Sequence, residues 1–210
     1  MNRLIIILLG ISFLMLFTPY CSLYEDPTPN AENIIPLAWN YFEEGNYVYA
    51  LQKFESAVNA DPNNESAYHG RAWCHLLLSN AAESISDFET AIIKGNSSHD
   101  PQAGLAAAFL AIEEYASSII KANYVLDSNP NYYFEHKPLI NYQDMHLILA
   151  MAYFHESELT KSQVHVTTLY QNHGLDPADS STWQFNQQSY ASYPEALMAI
   201  IDYLDVLYGM

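Results

Sequence analysis

The sequence predicts an all-α fold built from repeated pairs of helices, and three observations support this prediction. Residues of the same type recur at a spacing of 34 positions, small and aromatic side chains hold fixed places within each interval, and candidate turns near Gly45, Ser79 and Glu113 divide the interval in two. A fixed period of roughly 20 to 50 residues is typical of solenoids, in which each unit packs on its neighbours. Half of the 210 residues are hydrophobic, which is enough for a sizeable core.

The 34-residue period is most visible as columns of equivalent residues. Small residues let two antiparallel helices approach closely, and a large aromatic residue fills the space beside them. A proline cannot continue the second helix and sets the turn to the next unit. The small columns are Ala38, Ala72 and Ala106, and Ala50, Ser84 and Ser118; the aromatic columns are Trp39 and Trp73, and Phe54 and Phe88 followed by Ala122; the prolines are Pro62 and Pro130, with Asn96 midway.

The first 20 residues have the organisation of an export signal. Arg3 is followed by 14 uncharged residues, Leu4 to Phe17. A helix of this length rises only about 21 Å, which is short of the roughly 30 Å hydrocarbon core of a bilayer. The sequence therefore predicts a signal peptide over residues 1–20 and an exported protein rather than a permanent transmembrane helix.

Cys21 stands directly after this run and opens a polar stretch, residues 21–30, with the composition of a tether. Here the sequence resembles the start of bacterial lipoproteins, which implies acylation of Cys21, as by palmitate, and a lipid anchor in the outer membrane. Ordinary signal cleavage and an uncleaved anchor are the alternatives, because Tyr20 stands where lipoprotein signals usually carry a small residue. Cys74 is expected to be a buried core residue. The alternative is a disulfide between Cys21 and Cys74, if the protein is exported without the lipid.

The repeated positions resemble those of the tetratricopeptide (TPR) repeat, whose unit is a pair of helices in 34 residues. Unit one matches this family at Leu37, Ala38, Tyr41, Gly45, Tyr47, Ala50, Phe54, Ala57 and Pro62. The resemblance implies TPR-like repeats over residues 31–176, with units at 31–64, 65–98 and 99–132, an insertion at 133–142 and a divergent fourth unit at 143–176. Pro36 falls inside the first helix of unit one, so we expect this helix to begin at Pro36.

Residues 177–210 are predicted to form a loop followed by a helix. Polar and aromatic residues dominate as far as Ser192, and after Pro194 apolar residues recur at helical spacing with acidic residues on the opposite face. The exposed end of a solenoid needs a cap, so we predict a C-terminal capping helix. Occupation of the concave groove by this helix is the alternative.

Charge and motif content argue against several functions. The chain has 24 acidic and 7 basic residues, a net charge of −17, and so lacks the clustered cations that binding of nucleic acid requires. The eight histidines include no pair spaced for zinc, and neither a phosphate-binding loop nor a Gly-x-Ser-x-Gly elbow occurs. We therefore expect a protein that is not an enzyme, with no catalytic residues, no metal site and no cofactor.

The inner surface of the predicted solenoid is the candidate binding site. TPR arrays curve, and the resemblance implies that the first helix of each unit lines the inner side. The positions concerned are Ile35, Trp39 and Phe42, then His69, Trp73 and Leu76, then Ala103, Ala107 and Leu110. We predict that Trp39, Phe42, His69, Trp73 and Leu76 bind a partner, because aromatic side chains give large contact area at a small entropic cost. Packing of both tryptophans in the core is the alternative.

These features predict a scaffold in the cell envelope that binds another protein or a peptide. The combination of signal, Cys21 and repeat resembles the TPR lipoproteins that assist assembly of envelope complexes. The carboxylate clamp of TPR cochaperones is not expected, because the inner positions carry no Lys, Arg or Asn. A second hypothesis is a glycan- or small-molecule-binding module that uses the aromatic residues Tyr132, Tyr133, Phe134, Trp183 and Phe185.

Overall fold

The computed structural model describes residues 30–209, which form four antiparallel helix pairs, an irregular segment and a last helix. The pairs are α1 (Ala31–Glu43) with α2 (Tyr47–Ala60), α3 (Glu65–Leu77) with α4 (Ala81–Ile93), α5 (Asp100–Ala111) with α6 (Tyr115–Ser128), and α7 (Tyr142–His155) with α8 (Leu159–Leu169). From α1 to α8, each helix packs on the helices before and after it in the chain. The predicted all-α solenoid is confirmed. The predicted signal peptide and Cys21 lie outside the described residues.

The turn inside each helix pair depends on one residue in the left-handed backbone region. These residues are Gly45, Ser79, Glu113 and Ser157, with φ of 78°, 64°, 65° and 63°. The first three are 34 positions apart, and the fourth follows after 44, mainly because the segment between α6 and α7 is longer than the segments that join the earlier pairs. Glycine takes this conformation freely, whereas a residue with a Cβ adopts it at a cost of roughly 1–2 kcal/mol. The turn geometry therefore repeats more strictly than the residue type.

Helix α1 begins earlier than the sequence predicts. The expectation that Pro36 opens this helix is wrong: the helix begins at Ala31, and Pro36 lies inside it. The Asn30 side chain accepts a hydrogen bond of 2.9 Å from the Asn33 N–H and so caps the first turn. Ala31 is buried in a small cluster with Val58, so tertiary packing holds the turn that precedes the proline.

Adjacent units approach closely because a ring on one unit faces a glycine on the next. A Cβ added at Gly70 would overlap the ring of Phe54, and one added at Gly104 would overlap the ring of Phe88. Both rings are fully buried. At the third junction the sizes are exchanged, since Ala122 and Ile148 take the positions equivalent to the ring and the glycine, and both belong to the main core cluster. The replacement of the aromatic residue by Ala122 is therefore matched by a larger residue on the next helix.

We predict that this exchange of sizes can be transferred to the second junction. Phe88→Ala alone leaves a cavity and costs about 3–5 kcal/mol, and Gly104→Ile alone overpacks the junction. In the double variant the isoleucine fills the cavity, so it should be more stable than either single variant, with a coupling free energy of about 1 kcal/mol or more. Urea denaturation of the four proteins measures this coupling. A second cycle that pairs Phe88→Ala with Val164→Ala, an exposed residue on α8, should be additive; additivity in the first cycle would contradict the prediction.

Helices within a pair meet at the predicted small residues. Ser118 donates a hydrogen bond of 2.7 Å to the Ala106 carbonyl, and Ser162 makes the equivalent bond of 2.7 Å to the Ala150 carbonyl. Both serines are fully buried. The serine hydroxyl donates its hydrogen bond to a carbonyl of the paired helix, and the side chain is small enough for the two helices to pack closely.

The chain after α8 ends in a helix that covers the last pair. Residues 170–192 contain a 3-10 turn, Ser180–Thr182, and an antiparallel hairpin of β1 (Gln184–Phe185) and β2 (Gln188–Ser189). Helix α9 (Tyr193–Tyr208) then packs on α7 and α8. Leu197 and Ile200 of α9 share a core cluster with Leu147 and Val166. The predicted C-terminal capping helix is confirmed. Within residues 30–209, no helix combines the length and the apolar character that a bilayer crossing requires.

Candidate functional site

The first helix of each pair presents three equivalent positions, which we call the inner columns. They are Ile35, Trp39 and Phe42 on α1, His69, Trp73 and Leu76 on α3, Ala103, Ala107 and Leu110 on α5, and Leu147, Met151 and Phe154 on α7. The five residues predicted to bind a partner all belong to these columns. In the structure, four of these five residues pack around one aromatic ring, and the fifth lines an open cavity.

Four of the predicted residues surround one ring, that of Phe134. The ring centroids of Trp39, Phe42, His69 and Trp73 lie 6.0, 5.8, 6.0 and 4.4 Å from that of Phe134, and the Trp73 ring is stacked on it. Phe134 belongs to the segment between α6 and α7 and is fully buried. The chain's own insertion therefore fills the first part of the inner columns.

The insertion is closed by a backbone hydrogen bond and packs against α1. Within it, the Phe134 N–H donates to the Ile140 carbonyl over 2.8 Å, which closes a loop. His136 stacks on Trp39 with ring centroids 3.7 Å apart, and its Nδ1 lies 2.7 Å from Glu43 Oε1. Because stacked rings and a buried aromatic side chain stabilise a segment by several kcal/mol, roughly 1.5–3 for the buried ring alone, the insertion is a packed part of the fold.

The packing keeps His69 neutral. Its Nε2 accepts a hydrogen bond of 2.9 Å from Trp73 Nε1, so the proton of the neutral ring is assigned to Nδ1. Burial, with a smaller contribution from His136, lowers the pKa of His69 to about 3. In this structure Trp39, Phe42, His69 and Trp73 are at most 7 % exposed and pack on the insertion. Binding of a partner by these four residues stays a prediction.

The second part of the inner columns is open. A cavity of about 260 Å³ lies among α3, α5, α7 and the end of α9. Its apolar lining includes the fifth predicted residue, Leu76, together with Leu110, Leu147 and Met151. Asp205 of α9 and Gly209, which follows the end of this helix, also line the cavity. The end of the capping helix therefore bounds a pocket on the inner side.

Asp144 supplies a buried carboxylate to this cavity. It is the third residue of α7, where its Oδ2 accepts a hydrogen bond of 2.7 Å from the Asn141 N–H in a capping box. The side chain is 2 % exposed, and Oδ1 has no hydrogen-bond partner within residues 30–209. Burial raises the pKa of Asp144 to about 6, although the backbone hydrogen bonds act in the opposite direction. At neutral pH a largely ionised carboxylate therefore lies in the cavity wall, and one of its oxygens has no hydrogen-bond partner among residues 30–209.

The same carboxylate borders a second cavity of about 430 Å³. This cavity is lined by the end of the insertion, including Lys137 and Leu139, and by Leu207 and Tyr208 of α9. Asp144 and Gly209 line both cavities. Asp144 was not predicted from the sequence, although Asn141 three residues earlier gives the pattern of a capping box and marks the start of α7.

We predict that Asp144→Asn stabilises the protein at neutral pH. A carboxyl group whose pKa is raised in the folded state binds its proton more tightly there, so the free energy of unfolding falls as pH rises from about 4 to above 6. The amide keeps an acceptor for the cap and carries no charge. The variant should therefore exceed the original protein by about 1–3 kcal/mol at pH 7.5 and by much less at pH 4.

Urea denaturation at the two pH values measures this difference. Asp202→Asn is the matched control, because Asp202 is exposed on α9 and the change in charge is the same. A loss of stability for Asp144→Asn at pH 7.5 would contradict the prediction.

Groups for other chemistry are scarce in the described part of the chain. Among residues 30–209, no three His, Cys, Asp or Glu side chains are placed to hold a metal ion together. Cys74 is fully buried, and burial raises the pKa of its thiol. His146 and His165 lie with Nδ1 atoms 2.9 Å apart, and burial lowers the pKa of both, that of His165 to about 4. This pair was not predicted from the sequence, because it joins α7 to α8 over 19 residues.

The aromatic residues considered for glycan binding are mostly engaged inside the protein. Tyr132 and Phe134 are buried, and Tyr132 donates a hydrogen bond of 3.1 Å to Asp100. Trp183 donates from Nε1 to the Asp176 carbonyl, and Phe185 is 9 % exposed. Tyr133 alone of the five is largely exposed. These residues do not form one open aromatic platform.

Comparison with solved structures places the architecture among TPR proteins. YrrB, a TPR protein with an unusual peptide-binding site, has a TM-score of 0.60 at 17% identity, covering 87% of this chain and 89% of that one. MamA from Desulfovibrio magneticus RS-1 has a TM-score of 0.57 at 12% identity, covering 86% and 97%. A thermophilic TPR protein of Thermus thermophilus has a TM-score of 0.52 at 15% identity, covering 84% and 90%. The sequence matches no protein-family model and no curated protein sequence. The likeness therefore establishes the TPR fold.

Proposed function

We propose that this TPR-fold protein is a scaffold of the cell envelope that binds an apolar segment of another protein in the open part of its inner columns. The observation that carries the proposal is the cavity of about 260 Å³ where Leu76, Leu110 and Met151 meet. Each comes from the first helix of a different pair. A pocket with apolar walls and few polar groups is a typical site for an anchoring side chain of a partner.

The surroundings of the cavity support a protein segment as its occupant. The cavity continues the row of positions that the insertion occupies with Phe134, so a partner's apolar side chain would repeat in the open part what the insertion does in the filled part. A partner that contacted Trp39 and Trp73 directly would have to displace Phe134. YrrB, one of the similar structures, is described as having a peptide-binding site.

The cellular address is the second part of the proposal. The apolar run at residues 4–17 and the position of Cys21 support export, acylation of Cys21 and attachment to the outer membrane. A tether that ends near residue 30 would place the solenoid next to the membrane, where it would assist the assembly of an envelope complex. The net charge of −17 keeps the body of the protein away from anionic headgroups.

We expect a photo-crosslinking amino acid in the cavity to capture one and the same protein from two positions. Leu110 and Met151 are the test positions, and Gln52 and Glu89, which are exposed on second helices, are the controls. The crosslinking is performed in the native cells, and the captured protein is identified by mass spectrometry. Leu110→Trp should abolish capture from Met151, because the larger ring occupies the cavity. Capture from the control positions only would contradict the proposal.

We expect the mature protein to begin at an acylated Cys21 and to be found in the outer-membrane fraction. Intact-mass spectrometry of the membrane-extracted protein measures the mass of the chain from residue 21 with its acyl groups. Cys21→Ser should leave an unmodified chain that is no longer released by lipoprotein processing. A wild-type chain without acyl groups would contradict the lipid anchor while leaving the binding cavity to be tested by crosslinking.

A further inference from the structure

We propose that the open cavity receives a lysine side chain of the partner segment, with its ammonium group bound by Asp144. This inference rests on the proposed function and makes it more specific: within the apolar segment, the side chain that enters the cavity is a lysine, whose methylene groups supply the apolar contact. It follows from a buried carboxylate in the cavity lining with one unpartnered oxygen, from the nature of the cavity walls and from the distribution of charge around them.

The fold leaves one carboxylate oxygen of Asp144 unused. Oδ2 is engaged by the Asn141 N–H, which fixes the orientation of the carboxylate at the start of α7. Oδ1 has no partner within residues 30–209, although the side chain is only 2 % exposed. A buried acceptor without a donor is unfavourable, and a ligand that supplies the donor relieves this directly.

The cavity walls beside Asp144 fit the stem of a lysine. Leu76, Leu110, Leu147 and Met151 line the cavity with aliphatic groups and a thioether. A lysine side chain carries four methylene groups before its nitrogen, so it can bury the stem along such walls while the ammonium group reaches a carboxylate. A wholly apolar side chain would fill the same walls and leave Asp144 without a donor.

The charges near the cavity favour a cation. The only charged side chains that line it within the described part of the chain are Asp144 and Asp205. A basic residue, Lys137, borders the second cavity instead, and it donates through Nζ to the Tyr47 hydroxyl over 2.7 Å. With a net charge of −17 over the whole chain, the long-range field also attracts a basic segment.

The single free oxygen distinguishes lysine from arginine. A guanidinium group binds a carboxylate best through two parallel hydrogen bonds, one to each oxygen. At Asp144 one oxygen already accepts the capping bond, so the two-bond arrangement is not available. An ammonium group is a compact donor that needs one acceptor here and can direct its other protons towards Asp205 or water.

Three peptides test the inference on the full chain purified in detergent. They are blocked heptapeptides with the same leucine and serine flanks and with lysine, Nε-acetyl-lysine or arginine at the centre. Binding is followed through the methyl resonance of Met151 in protein labelled with 13C at the methionine methyl groups, and Met151→Leu assigns that resonance. We expect the lysine peptide to shift this resonance and to bind at least about tenfold more tightly than the acetyl-lysine peptide, with arginine between the two.

Two variants separate the role of Asp144 from that of overall charge. Asp144→Asn should weaken the lysine peptide by about tenfold and leave the acetyl-lysine peptide unchanged, whereas Asp202→Asn should alter neither. Circular dichroism of each variant reports its fold. The comparison of the three peptides on the unsubstituted protein needs no variant and stands if Asp144→Asn fails to fold.

Two outcomes would overturn the inference, and they are distinct. If all three peptides shift Met151 with equal affinity, the cavity binds apolar segments without selecting lysine, and the proposed function survives alone. If no peptide shifts Met151, the lysine site is wrong, and capture from Leu110 and Met151 in cells decides the proposed function separately.

Discussion

The architecture depends on how closely a ring on one helix pair can approach the backbone of the next. Phe54 over Gly70 and Phe88 over Gly104 bring neighbouring units together with no side chain between ring and helix. The distance of this approach, repeated at a fixed period, sets the stacking of the pairs and hence the position of every inner column. Where the ring is lost, at Ala122, the facing helix supplies Ile148, so the volume of the junction is kept although its two sides exchange roles.

The inner side of the solenoid is shaped by a different kind of contact. Trp39 and Trp73 lie where a TPR array would offer aromatic surface to a ligand, and the chain meets this surface with its own Phe134 and His136. The insertion thereby divides the inner columns into a buried aromatic cluster and a remaining cavity. Asp144 lies at that division, because the end of the insertion caps α7 through Asn141 and Asp144. The placement of a carboxylate with a raised pKa beside the open stretch follows from where the insertion ends.

The sequence predicts those parts of this structure that are encoded by local periodicity. The six helices of the first three pairs, the chain reversals at Gly45, Ser79 and Glu113, and the small residues between these helices follow from the 34-residue columns, whereas the fourth pair is predicted from a weaker match after the insertion. The start of α1 does not follow from the columns. Ala31 packs against Val58 on another helix, and this packing outweighs the preference of Pro36 for the first turn of a helix. The contacts of Phe134 cannot be predicted from the periodicity either. They join residues with no shared period, and an aromatic cluster in a loop has the same composition whether it binds a ligand or fills a groove.

The bond between His136 and Glu43 has a consequence for the way this molecule unfolds. In a simple repeat array each unit contacts only its neighbours, so the ends can fray while the middle stays folded. Here a residue between the third and fourth pairs is tied to the first pair across 93 positions, and Lys137 is tied to Tyr47 across 90. The first pair therefore cannot detach without exposing Trp39 and Phe134 at the same time. The units follow one another in a linear array, but contacts between distant residues join the first pair to the insertion. We therefore expect the N-terminal half to lose structure as one cooperative block rather than one unit at a time.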